Sequence, residues 1–289
     1  MIQVTSEIFE KACHSKKQTD EYVSLFGKKI SKELAHMQET HERKSSEIAK
    51  LVAPYQHNHK IQHEGIAYSF DRLKTLAVSD HEQQRLVLAN HVGDQDARKK
   101  FMLNIDGYLS ISGAPYDVEW IDGASAYAHK SNGEFGFSPM SGYAAAAIGS
   151  FMNPVTPPGQ DIIARVRAYM PISYSWFNWI ILGGYASTHG GVGVLIYDLN
   201  DGSVVIDNRS KPELWNASMS TPGFSNQQDT QTSLGFTSAA ETYFIMRSGH
   251  SYLTWFWCWG GAYFYGDASS MASIACKLPF IVVKPWLSI

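Results

Sequence analysis

Carboxylates supply the first chemistry to weigh. Asp117 and Glu119 stand two apart, followed by Trp120 and Asp122, and in an extended segment the first two share a face. Asp198, Asp201, Asp207, Glu213 and Glu241 come later in the chain. A glycosidase needs two carboxylates roughly 5–10 Å apart across a cleft, one donating a proton and the other acting as base or nucleophile. Sequence spacing alone fixes no such separation. The sequence also lacks G-x-S-x-G, H-E-x-x-H, a phosphate loop and a dinucleotide fingerprint. The stretch Asp198-Leu-Asn-Asp-Gly202 approaches a calcium loop, but its glycine comes one place early and the closing glutamate is missing. It reads as a hairpin turn. The chain is therefore read as a non-enzyme needing no cofactor, with polysaccharide degradation as the activity its carboxylates come nearest to.

Binding chemistry is better represented. Trp255, Trp257 and Trp259 alternate with Phe256 and Cys258, so in a strand the three indoles share one face. Sugar rings present flat C–H faces that stack on indoles, while amides hydrogen-bond the hydroxyls. Asn226 and Gln228, within the polar stretch Leu214–Thr232, and His189, within Ser187–Gly191, offer such polar groups. Together with Trp255 and Trp257 they are the expected ligand contacts. A plainer reading has the tryptophans fill a core or a subunit interface. Both faces of the stretch are aromatic, so at least one must be buried. His57-Asn-His59 places two imidazoles on one side of an extended segment, and three copies about a threefold axis would present six, an octahedral metal set. Nothing else converges there, and no metal is expected.

Two unlike halves must position these residues. The chain has 289 residues and a net charge of −3, so no basic field draws nucleic acid. Eight of the eleven histidines and most of the Lys and Arg precede residue 105, whereas the tryptophans fall almost entirely beyond residue 153. Three cysteines, Cys13, Cys258 and Cys276, are too few and too scattered for a disulfide framework or a cysteine-based zinc site, which fits synthesis in a reduced cytoplasm. The first residues lack a signal-peptide pattern, and no apolar run approaches the roughly 20 residues that span a bilayer. Neither signal-directed export nor membrane insertion is expected.

Residues 1–100 read as a helical oligomerisation region. Ile30, Leu34, Met37, Ile48, Leu51 and Tyr55 form a heptad-like seam suited to a coiled coil, weakened by His41 and Lys44 at core-type positions. Pro54 should end or kink that helix. Ile66, Phe70, Leu73 and Ala77 resume the pattern, and Ser79-Asp-His-Glu82 reads as a capping box for a third helix with Leu86, Ala89 and Val92 inside. Residues 101–153 form a connector with short strands, rich in Gly and Ala. Residues 154–289 alternate in short runs that predict about eight strands, a jelly-roll or related sandwich. The fold class is thus α + β, segregated. Gly260-Gly261 is expected to turn the tryptophan stretch into a hairpin, Ser187–Gly191 to form a tight turn, and Leu214–Thr232 a long surface loop.

This order of parts resembles the fibre and spike proteins of bacteriophages. The seam at Ile30–Tyr55, the connector at 101–153 and the aromatic domain from Pro154 carry the resemblance. His57-Asn-His59 is similar to the His-x-His that holds a metal on the axis of some phage spikes. The resemblance implies a homotrimer whose N-terminal region attaches to other virion proteins and whose β head binds a host-surface saccharide or protein during adsorption. It also implies a chain made in host cytoplasm and located in the virion. Three other readings stand beside it: a purely structural virion protein decorating capsid or tail, a polysaccharide-degrading enzyme, and a lectin-like toxin with a helical effector part.

Overall fold

Two strands organise the fold, and both run straight through the glycines that suggest turns. The structure, a computed structural model, describes residues 9–10, 16–56, 63–92, 110–154, 159–207, 213–221 and 223–288. Strands β8 (Ile172–Asp198) and β13 (Tyr252–Lys277) pair antiparallel along nearly their whole length. The other edge of β13 pairs first with β6 (Gly142–Pro154) and then with β5 (Glu134–Met140). Beyond β6 lie β1 (Phe9–Glu10) and β3 (Val118–Asp122), and beyond β5 lies β4 (Ala126–His129). Beyond β8 lie β9 (Val204–Asp207), β10 (Glu213–Thr221) and β11 (Ser225–Ser233). A second antiparallel sheet has the order β12-β7-β14-β2, from β2 (Ser110–Gly113), β7 (Ile162–Tyr169), β12 (Phe236–Met246) and β14 (Phe280–Ser288).

The long ribbon doubles back on itself. At about 3.3 Å per residue, a straight strand would hold Cys258 and Cys276 roughly 60 Å apart. Both nevertheless lie in one core, near enough for their thiols to act on each other. The bend falls at Gly183 (φ 118°) in β8 and Gly266 (φ 79°) in β13, where the register between the strands shifts. Positive φ costs glycine little, which is why the corner can be this tight. The same face of both arms then turns inward. Phe256 and Cys258 from one arm share a core with Ile274 and Cys276 from the other, closed by Val166, Phe244 and Val283 of the small sheet. The result is a β-sandwich.

Two helices clad the outer face of the large sheet. Helix α1 (Lys16–Gln56) lays Phe26, Ile30 and Leu34 on Trp255, Trp257, Trp259 and Leu195. Phe26 stacks on Trp255 at 4.2 Å and meets Trp120 edge-on at 5.1 Å. Gly27 allows this closeness, since a Cβ there would meet the Trp120 Nε1 at 2.6 Å. Lys29 pairs with Asp207 at 3.3 Å, and the Ser31 hydroxyl donates to Asp122 at 2.9 Å. Helix α2 (His63–Val92) docks His81, Gln84 and Leu88 on the other arm. Its Arg85 lies 4.7 Å over the Tyr127 ring and 3.4 Å from Glu134.

Several expectations are corrected here. Ile30 and Leu34 are core residues of this chain, because the tryptophan face demands a cover and α1 supplies it. The part of the expected seam that is described, Ile30 and Leu34, faces the sheet rather than a second helix. Met37, Ile48, Leu51 and Tyr55 belong to α1, but their side chains lie outside the described residues, as do His57 and His59 altogether. Helix α1 ends at Gln56, two residues past Pro54. The capping box at Ser79 starts no helix: α2 runs through it, since the stripe His81–Gln84–Leu88 docks it on the sheet while Leu86, expected inside, is exposed.

The expected connector is instead central to the sheet. Strand β6 carries the tract Ala144–Ala147, fully buried, where small side chains let the helix and both arms approach. The boundary expected at 153/154 therefore cuts a sheet rather than separating domains. Gly260-Gly261 makes no turn either, because both residues are paired on both edges within β13. The stretch Ser187–Gly191 likewise lies mid-strand in β8, and the polar stretch from Leu214 is two edge strands rather than a loop. The turn from Asp198 to Ser203 forms as expected, leading into β9.

Candidate functional site

The polar edge strand β11 builds the site. Its register with β8 sets Asn226 beside Trp179 and Gln228 beside Phe177, while β13 places Met271 next to Phe177 on the other side. Paired residues in antiparallel strands point to the same face, so these five line one surface. Alternation puts that surface on the outside of the sandwich, because Tyr174 and Ile172 of the same arm face the core. Helix α2 stands along it with Leu73, Leu76, Ala77 and Asp80. Between helix and sheet lies an open cleft of about 630 Å³. That size falls within the range of roughly 300–1,000 Å³ usual for small-molecule sites.

The lining combines flat apolar surface with free hydrogen-bonding groups. Trp179 and Phe177 are half-buried, and Trp179 meets Phe224 edge-on at 6.2 Å. Phe224 is 63% exposed. Asn226 and Gln228 are exposed, and their amides make no hydrogen bond among the described residues. Asp229, paired with Trp176, turns to the other face of β11, where the Thr230 amide at 2.8 Å and the Gln231 side chain at 2.7 Å donate to it. Stacking surface beside unengaged amides is the chemistry that holds a polyhydroxylated ring. Among the described residues, no group of three or more His, Cys, Asp or Glu side chains is arranged to hold a metal ion, and no helix is long and apolar enough to cross a membrane.

Of the five expected ligand contacts, the structure brings together two, Asn226 and Gln228. Trp255 and Trp257 are 0% and 3% exposed, sealed beneath α1. His189 is buried on the same face, stacked on Tyr263 at 6.1 Å and hydrogen-bonded with the Tyr143 hydroxyl at 2.5 Å. Burial pushes the Tyr143 and Tyr263 phenols far above their ordinary range, so neither phenol ionises and the cluster packs as part of the covered face. Sequence reading missed Phe177 and Trp179, although their two-residue spacing in Trp176-Phe-Asn-Trp179 puts them on one strand face. What hid them is that only the β8–β11 register brings the amides alongside.

The carboxylates serve as fasteners. Asp117 accepts from the Ser150 hydroxyl at 3.1 Å and the Phe151 amide at 2.9 Å, and Glu119 from the Lys130 amide at 2.6 Å. Asp122 and Asp207 tie down α1, while Asp198 pairs with His250 at 2.7 Å. None of these five lines the cleft.

No protein-family model matches the sequence, and no curated protein matches it. Among solved structures, an isomalto-dextranase of Arthrobacter globiformis T6 complexed with panose aligns at 14% identity over 60% of this chain and 23% of its own, with a TM-score of 0.19. The module TmCBM61 in complex with β-1,4-galactotriose aligns at 10% identity over 61% of this chain and 87% of its own, with a TM-score of 0.15. The enzymatically active domain of tailspike protein 4 from bacteriophage CBA120 aligns at 12% identity over 61% and 19%, also at 0.15. This chain thus spans about a quarter of the first and a fifth of the third. Likenesses this slight carry no argument about activity.

Proposed function

We propose that the chain is a binding protein whose α2–β8–β11 cleft takes a saccharide, and that it serves as the receptor-binding head of a virion fibre or spike. One observation carries the binding claim: two half-buried aromatic rings and two unengaged amides share one face of an open cleft. The virion role extends it. Exposed Leu86 and Val87 on α2 give the helical part apolar surface for self-association into a homotrimer, or for docking on other virion proteins. Several heads on one particle would turn weak single-site binding into avidity.

The test is a glycan array probed with the full chain, followed by calorimetry on the best ligand. Trp179→Ala should weaken binding at least tenfold, the usual scale for losing a stacking ring. Gln228→Ala should weaken it several-fold, with unfolding unchanged for either variant. A second reading, a purely structural virion protein, draws on the burial of Trp255, Trp257 and Trp259. Silence of the full chain on glycan arrays and on host-surface proteins would select it.

A further inference from the structure

The shape of the cleft points to how a ligand lies in it, an inference that rests on the saccharide reading above. We infer that the ligand is a linear oligosaccharide taken by a chain end, its last few units laid lengthwise along β8. The strand register sets Thr230 beside Ser175, Gln228 beside Phe177 and Asn226 beside Trp179, three rungs on one face. Four residues at about 3.3 Å each put the outer rungs roughly 13 Å apart, room for about two to three linked rings and too long for one. Helix α2 follows the same line. From Leu73 to Arg85 it advances about 18 Å, while β5 advances about 17 Å from Pro139, which lines the cleft with Leu73, to Glu134, which Arg85 reaches. Because β5, β13 and β8 are antiparallel neighbours, the gap between α2 and β11 is a trough along β8. One wall is apolar, with Leu73, Leu76 and Ala77, and the opposite rim carries the Asn226 and Gln228 amides.

The trough is shut at one end. Past Ser175, the next positions on this face are Ser173 and its β13 partner Ala275, 0% and 1% exposed. Ala275 shares with Leu88 and Ala89 of α2 a void of about 10 Å³, enough for one water and not for a sugar ring. At the other end Trp179 is half-buried, and Phe224 beyond it is exposed. A chain can leave past Phe224, but one continuing past Ser175 would have to displace α2. An internal stretch of polymer is therefore refused and a chain end admitted.

The probes are linear α- and β-linked glucans, galactans and mannans of one to six units, titrated calorimetrically into the full chain. For a backbone that binds, affinity should rise about tenfold or more from one unit to three as further rings stack, then change by less than about twofold from four units to six. The plateau is expected because a chain end offers one register whatever the length. Two hexamers, one with a bulky aryl group on the reducing end and one with it on the non-reducing end, should differ by about tenfold or more, the better binder matching the unblocked hexamer within about twofold. Phe224→Ala, at the open end, should weaken the hexamer several-fold and spare the disaccharide. Affinity that keeps climbing with length, or equal binding of the two aryl-blocked hexamers, overturns the chain-end inference and leaves the cleft standing. Failure of every probe to bind, or binding that Trp179→Ala leaves untouched, removes the cleft reading and this inference with it.

Discussion

Helix α2 is fastened by a histidine that should release it in acid. His81 is 1% exposed between helix and sheet, and neither ring nitrogen has a hydrogen-bond partner among the described residues. Burial lowers its pKa from 6.5 to about 4; Glu82 pulls the other way, and Arg85 reinforces the fall. Its ring meets the Tyr127 ring of β4 at 6.0 Å and 66°, and Glu82 and Arg85 are the charged groups that act on it. A folded-state pKa below the unfolded one means that the docked state favours neutral imidazole. The contribution is complete above pH 6.5 and is lost as pH falls toward 4. At about 1.36 kcal/mol per pH unit, the loss is on the order of 3 kcal/mol. For cooperative unfolding that corresponds to roughly 6–12 °C in Tm.

His81→Leu is the informative substitution. It removes two unpaired nitrogens and keeps an apolar group of similar size, so it should leave stability at pH 7 equal or raised. It should also flatten the loss between pH 6.5 and 4. Hydrogen exchange of the α2 amides across that range reports release directly, alongside Tm. Should His81→Leu lose stability over pH 6.5–4 as steeply as the parent chain, the histidine is not the fastener. Acid loss that persists once the pH is well below 4 belongs to a different group: Glu134, whose pKa burial raises but Lys277 and Arg85 bring down overall, gives up its contacts as it protonates.

Three further outcomes follow from the packing. Phe26→Ala removes the ring stacked on Trp255 and should cost about 3–5 kcal/mol, read by denaturant unfolding and a rise in tryptophan fluorescence wavelength. Gly260→Ala should cost about 1–3 kcal/mol, because the new methyl meets the Phe137 ring. Adding Phe137→Leu should recover part of that loss, whereas a glycine needed only for a turn would show no such coupling. Lys29→Ala should cost less than about 1 kcal/mol, since its pair with Asp207 is partly solvated. A larger loss in calorimetry would mean that this contact anchors α1 more firmly than an exposed pair can.

Local alternation was legible, and long-range placement was not. The expectation that Trp255, Trp257 and Trp259 share a face opposite Phe256 and Cys258 holds, because the strand period is a property of the backbone. The hairpin at Gly260-Gly261 fails because glycine has two uses that look alike in sequence. One is positive φ, as at the Gly266 bend. The other is room for a ring, as at Gly193, where a Cβ would meet the Trp257 Nε1 at 2.7 Å. A coiled-coil seam and a sheet-facing helix stripe share their apolar period, so Ile30 and Leu34 could not declare their partner. Asn226 and Gln228 stood out by composition as candidate contacts. Their aromatic neighbours needed the register between strands some fifty residues apart.

The unequal cover on the two arms explains why a cleft exists at all. Both arms carry aromatic residues on the outer face, Trp255, Trp257 and Trp259 on one and Phe177 and Trp179 on the other. On the first arm α1 approaches closely, since Gly27 lacks a side chain where Trp120 stands and Phe26 fits flat on Trp255. On the second arm α2 makes its close contact further along, at His81, Gln84 and Leu88, where Arg85 reaches Glu134. Ahead of that anchor, Leu73, Leu76 and Ala77 stand off from Phe177 and Trp179 and leave the gap open. Filling it with protein would bury aromatic surface at a gain of about 25 cal/mol per Å², so leaving it open forgoes stability that the other arm takes. An aromatic surface left uncovered beside unengaged amides is where a ligand has something to gain. The indoles under α1, already covered, offer it nothing.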